Sequence, residues 1–162
     1  MSKFRQGIYK IMHSEKYIGT KLPVYRSSWE LKFNKGLDYN NNCVKWASEY
    51  AKTEISYKQP DGTTHRYIPD YYVEMRLPEG QVRKFLVEVK PWNQSPGLSP
   101  PPKEPKNKTA KALRNFQASM KAYMINACKW SAAKDWCKKR GITFLVVTER
   151  DVPSFVGKKR RN

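Results

Sequence analysis

The stretch Tyr67-Ile68-Pro69-Asp70-Tyr71-Tyr72-Val73-Glu74-Met75-Arg76, then Leu77-Pro78-Glu79-Gly80-Gln81, then Val82-Arg83-Lys84-Phe85-Leu86-Val87-Glu88-Val89-Lys90, decides how this chain is read. Its aromatic and β-branched residues favour extended backbone, and Pro-Glu-Gly at its centre supplies a turn. Two antiparallel strands are therefore predicted, one from His65 to Arg76 and one from Val82 to Lys90. Side chains alternate along a strand, so Glu88 and Lys90 share a face, and an antiparallel neighbour can bring Asp70 beside them. Two carboxylates with a lysine one pleat away can hold a divalent cation and position a water. Hard oxygen donors suit Mg²⁺, or Mn²⁺ in its place. The apolar run Phe85-Leu86-Val87 makes Glu88 an acid at the end of a buried strand, where an unpaired carboxylate is costly.

Upstream, Gln59-Pro60-Asp61-Gly62-Thr63 has the chemistry of a second tight turn. It is preceded by short alternating stretches around Val44 and Trp46 and around Ile55 and Tyr57, so a three-stranded antiparallel meander is the economical reading. Before the meander a serine caps a helix with Glu30 in its first turn. Trp29, Phe33 and Leu37 recur there at helical spacing until Asp38-Tyr39-Asn40-Asn41-Asn42 ends it. Downstream, six prolines between Pro91 and Pro105 forbid a helix and predict an extended surface loop. From a cap at Thr109, the stripe Leu113, Phe116, Met120, Ala127 and Trp130 predicts a helix to Cys137, with Asn126 as a place where it could break and Gly141 as its stop. The run from Ile142 to Thr148 is a last buried strand. The order of helix, three strands, helix and strand gives an α/β core, a mixed β-sheet flanked by helices. Residues 1–24 are expected to form an irregular arm, 25–150 the domain, and 151–162 a basic tail carrying Lys158-Lys159-Arg160-Arg161.

With 162 residues the chain has the length of one domain. Thirty-two Lys and Arg against 14 Asp and Glu give a net charge of +18, which calls for a polyanionic partner. An apolar share of 39%, with 13% aromatics, is too rich in core formers for a basic disordered tail. The charge is uneven, with 13 basic and 9 acidic residues in 1–81 against 19 and 5 in 82–162. Lys103, Lys106, Lys108, Lys111 and Arg114, with Lys121 beyond, are read as phosphate contacts beside the Glu-x-Lys strand, and Arg26 and Arg66 are assigned to the same contact. No motif for reading bases is visible, so binding by shape and charge is expected. No apolar run is long enough to span a membrane or to form a signal peptide, and a soluble intracellular protein is expected. Cys43, Cys128 and Cys137 include no Cys-x-x-Cys pair, and they are read as reduced, with Cys128 and Cys137 as small buried hydrophobes.

Pro69-Asp70, seventeen residues, then Glu88-Val89-Lys90 resembles the signature of the restriction-endonuclease-like nuclease superfamily. The likeness narrows with Tyr25-Arg26-Ser27-Ser28-Trp29-Glu30, Trp46-Ala47-Ser48-Glu49, His65-Arg66-Tyr67-Ile68-Pro69-Asp70-Tyr71, Glu88-Val89-Lys90-Pro91 and Pro100-Pro101-Pro102-Lys103-Glu104-Pro105-Lys106. Over roughly residues 6–150 these are similar to the head completion nucleases of T4-like tailed phages. A more distant similarity is to transposon-end endonuclease subunits and phage Holliday-junction resolvases. The resemblance implies a metal-dependent deoxyribonuclease acting on packaged DNA, in the host cytoplasm or at the phage head, with portal or connector proteins as partners. It implies that Asp70 and Glu88 ligate metal, that Lys90 orients or helps deprotonate the attacking water, and that Glu30 ligates a second ion or orients the first shell. Glu49 and His65 are weaker candidates. Non-catalytic DNA-binding connector proteins and Holliday-junction resolvases are the rival readings.

Overall fold

The structure, a computed structural model, describes residues 6–151; the basic tail beyond them and residues 1–5 lie outside the described residues. Its centre is a four-stranded sheet of β3 (Cys43–Ser48), β6 (Tyr71–Arg76), β7 (Val82–Val89) and β8 (Thr143–Val147), in that spatial order. Strand β6 runs antiparallel to both β3 and β7, while β8 runs parallel to β7. A parallel neighbour needs a long crossover, and α2 (Ala110–Lys138) provides it. The sheet is mixed and carries helices on both faces, the architecture expected from the sequence.

The meander differs from expectation in one respect. The segment from His65 to Arg76 is two strands, since β5 (Thr64–Tyr67) ends before Ile68-Pro69-Asp70 and β6 begins after them. Pro69 has no N–H to give to a ladder and is fully buried, so the chain changes sheets there. Strand β5 pairs with β4 (Ile55–Lys58) as a separate hairpin, and the partner of β6 is β3. The hairpin is therefore an insertion between the first and second strands of the meander.

Helix α1 (Ser28–Tyr39) starts at Ser27, whose hydroxyl accepts the N–H of Glu30. Its buried face sets Phe33 and Leu37 against Trp46, Tyr71, Val73, Val87 and Val147 on one side of the sheet. On the other side Ala133 and Cys137 of α2 meet Tyr72 and Leu86, together with Ile55 of the hairpin. Strand β7 is thus covered on both faces, which explains its unbroken apolar run. Helix α2 is continuous, because Asn126 spends its amide on the Gln94 carbonyl at 3.1 Å instead of competing for its own backbone.

The expected arm is ordered from Gln6 onward. Strands β1 (Gly7–Ile8) and β2 (Val24–Tyr25) form a small ribbon. Asp38, fully buried in α1, accepts from the Tyr9 hydroxyl at 2.7 Å and from the Met12 and His13 N–H groups at 2.8 and 2.9 Å. Burial alone would raise this carboxyl, but those donors and the His13 ring outweigh it, and the net direction is down.

Candidate active site

The ladder between β6 and β7 pairs Tyr71 with Val87 and Tyr72 with Leu86, so one step further Asp70 stands opposite Glu88 on the same face of the sheet. Both acids belong to the α2 side, two residues from Tyr72 and Leu86 respectively. The Val89 N–H donates to Asp70 Oδ2 at 2.7 Å, which fixes that carboxylate across the strand end. Lys90 follows Glu88 on its own face, and its N–H donates to Val147 in β8 at 2.9 Å. The structure therefore brings Asp70, Glu88 and Lys90 together as the spacing predicts.

The pair is electrostatically loaded. Glu88 is 7% exposed. Burial first, and the charge of Asp70 second, push its carboxyl up from 4.5 to about 8, although Lys90, Lys129 and the Asp70 backbone amide pull the other way. Burial also raises Asp70, to about 6, against the Val89 amide and Lys90 and with the help of Glu30 and Glu49. Two acids facing each other out of water cannot both ionise without added positive charge.

Glu30 is close enough for its charge to act on Asp70, yet its oxygens are engaged locally. Oε2 accepts the Arg26 N–H at 2.8 Å and Oε1 the Ser27 hydroxyl at 3.3 Å, so this acid also closes the start of α1. Among the described residues no group of three or more His, Cys, Asp or Glu side chains is gathered closely enough to hold a metal ion as it stands. Arg26 bridges from Glu30 to Glu49, donating to Glu49 Oε1 at 2.6 Å. Glu49 stands at φ 44°, a left-handed conformation uncommon outside glycine, and its N–H donates to the Asp70 carbonyl at 2.9 Å. His65 lies away from these acids on β5, where its Nε2 meets the Thr63 hydroxyl at 2.8 Å and its ring neighbours Tyr57.

Tyr71 and Tyr72 pack on opposite faces of the sheet, so neither is free to stack against nucleic acid. Arg66 reaches from the hairpin to Glu54 at 3.1 Å, and Lys108 pairs with Glu104 at 3.2 Å. Lys103, Lys106, Lys111 and Arg114 are exposed along the proline loop and the start of α2.

Sequence reasoning missed Lys129. This α2 lysine sits half-buried with its ammonium 5.7 Å from the Tyr57 ring and 5.4 Å from the Tyr67 ring, and its carbonyl accepts the Tyr67 hydroxyl at 3.0 Å. It supplies, with Lys90, the positive charge that faces Glu88. On α2 it reads as one more solvated lysine, and only the docking of the helix gives it this neighbour.

Comparison with known proteins points to a nuclease family. Residues 40–149 match the family described as TnsA-like endonuclease, N-terminal. The chain is also 34% identical over 135 residues to the head completion nuclease of Enterobacteria phage T4, covering 83% of this chain and 84% of that protein. With the expected restriction-endonuclease-like sheet and the acids at its strand ends, the chain belongs to the TnsA-like endonuclease family and is a nuclease.

Proposed function

We propose that this nuclease hydrolyses DNA phosphodiester bonds with a divalent cation, Mg²⁺ or Mn²⁺, held by Asp70 and Glu88. The observation that carries the reading is the cross-strand carboxylate pair. Burial raises both acids, the charge of Asp70 raises Glu88 further, Glu30 and Glu49 add to the rise of Asp70, and among the described residues two lysines face Glu88. A doubly charged ion suits such a pair of hard oxygen donors. When bound, it neutralises charge at the phosphate and activates a water for attack. Lys90, on the face of Glu88, presents its ammonium where charge develops on the attacked phosphate and steadies the incoming water. Arg26 holds Glu30 and Glu49 at the edge of the site, and Glu30 acts on Asp70 from there as an outer acid. Lys103, Lys106, Lys108, Lys111, Arg114, Arg26 and Arg66 contact DNA phosphates, in keeping with the net charge of +18.

The name of the T4 relative supports a place in phage head completion, in the infected cell and at the head, with portal or connector proteins as neighbours. No helix among the described residues is long and apolar enough to cross a membrane.

The test uses purified protein with supercoiled and linear DNA in Mg²⁺, Mn²⁺ or EDTA. Cleavage in either metal and none in EDTA is expected, with conversion of closed circles marking internal cuts. Asp70→Ala, Glu88→Ala and Lys90→Ala should each lose nearly all cleavage with an unchanged circular dichroism spectrum. A folded Glu88→Ala protein cutting at the wild-type rate would overturn the assignment.

A further inference from the structure

Directly after Lys90 the chain turns through Pro91 into a short 3₁₀ segment, Trp92–Gln94, and then folds back along α2 through the triple proline. Between them opens a groove of about 580 Å³, walled by Trp92, Pro101, Lys103, Ser119, Ala122 and Tyr123. We infer that this groove receives unpaired nucleotides of the DNA strand next to the cut, so that the preferred substrate carries a single-stranded stretch there. The inference rests on the nuclease reading above.

The groove lies close to the paired acids. Trp92 is two residues from Lys90. On the opposite wall Ala122 lies seven residues before Lys129, which faces Glu88, and a helical rise of 1.5 Å per residue makes that separation about 10 Å. A strand leaving the acids therefore meets the groove within a few nucleotides.

Its walls are largely apolar. Aromatic rings and prolines offer flat apolar platforms, which suit nucleobases and not phosphates, and stacking on such rings tolerates any sequence. The stacked bases of an intact duplex cannot enter a groove of this size, so only an unpaired strand presents them. The Arg150 guanidinium lies 3.7 Å from the Trp92 ring centroid and adds a cation to that platform.

The charge around the groove favours a nucleic acid over a peptide. Lys103 lines the groove and Arg150 stands at Trp92, whereas among the described residues those lining it include no acid, and Glu149, which accepts the Trp92 N–H, is not one of them. That rim complements a polyanion. The groove is also held open in advance: the Tyr123 hydroxyl donates to the Ser99 carbonyl at 2.6 Å, Asn126 ties Gln94 to α2, and the Trp92 N–H donates to Glu149 at 2.8 Å. A preformed site has less ordering cost to meet on binding.

The experiment measures binding of a labelled short oligothymidylate and of a blunt duplex to full-length Glu88→Gln protein. The same measurements follow with Ser119→Trp or Trp92→Leu added, each checked for fold by circular dichroism. Filling the groove from an exposed helix position, or removing its ring, should weaken oligothymidylate binding about tenfold or more and duplex binding less than twofold. Unchanged oligothymidylate binding by a folded Ser119→Trp protein overturns the inference and leaves the groove to a peptide. Duplex cleavage by Ser119→Trp protein with Glu88 intact keeps the two readings apart. If it cuts duplex but binds oligothymidylate normally, the groove fails alone, whereas a native protein that cuts no DNA fails the nuclease reading.

Discussion

Glu88 lies opposite Asp70 at the end of a strand covered on both faces, and its environment makes a prediction about pH. In the folded, metal-free protein its carboxyl is pushed to about 8, against 4.5 ordinarily, by burial and by Asp70. The folded state then holds a proton that the unfolded chain has released, so the contribution is full below 4.5 and is lost as pH rises through about 8. Urea unfolding in EDTA should show the wild type losing stability over that window relative to Glu88→Gln, and Mg²⁺ should recover the loss by binding the ionised pair. A wild type that gains on the variant as pH rises would contradict the assigned environment. Lys129→Met removes one of the two lysines facing Glu88, so Glu88 should ionise at higher pH. The low-pH limb of the cleavage profile should move upward, with Lys129→Arg close to wild type. An unmoved limb in a folded Lys129→Met protein would make this lysine structural only.

At the scale of elements, the N-terminal ribbon depends on one side chain of α1. Asp38→Ala leaves the Tyr9 hydroxyl and two backbone N–H groups without their acceptor. A cost of about 3 kcal/mol or more is expected, because each stranded buried donor costs about 1–3 kcal/mol. Limited proteolysis should then cut first within residues 9–22, and a variant as stable as wild type would show that the ribbon stands without this anchor. The sequence marks Asp38 only as part of the polar run that ends a helix, since nothing local shows that residues 9–13 return to it. Pro69 is the opposite case. Its ring and missing N–H are local facts, but the alternation on either side of it fits one continuous strand, and the break is visible only where β6 leaves the hairpin to join β3.

For the whole molecule the net charge of +18 makes a prediction about salt dependence under the proposed function. If Lys103, Lys106, Lys108 and Lys111 bind phosphates, replacing all four by Gln in Glu88→Gln protein should weaken binding of every sequence alike. The slope of log K against log salt should become shallower by about 3 to 4, at roughly 0.9 for each phosphate left without its lysine. Lys108 shares its charge with Glu104, so its part of that change should be the smallest. An unchanged slope would reassign these lysines to solvation, and Arg26 and Arg66 would be the next to neutralise.

The α/β order, the two faces of Glu88-Val89-Lys90, a serine cap with Glu30 in the first turn of α1, the cap at Thr109 and the basic second half could all be read from the chain. Each depends on alternation, helical period, turn chemistry or charge, which act over a few residues or sum over all of them. Tertiary structure alone decided that the β4–β5 hairpin stands apart from the main sheet, that Glu49 and Arg26 border Asp70, and that Lys129 faces Glu88. These are contacts between segments far apart in sequence. Their partners are chosen by how whole apolar faces dock, and no short pattern of residue types encodes that choice.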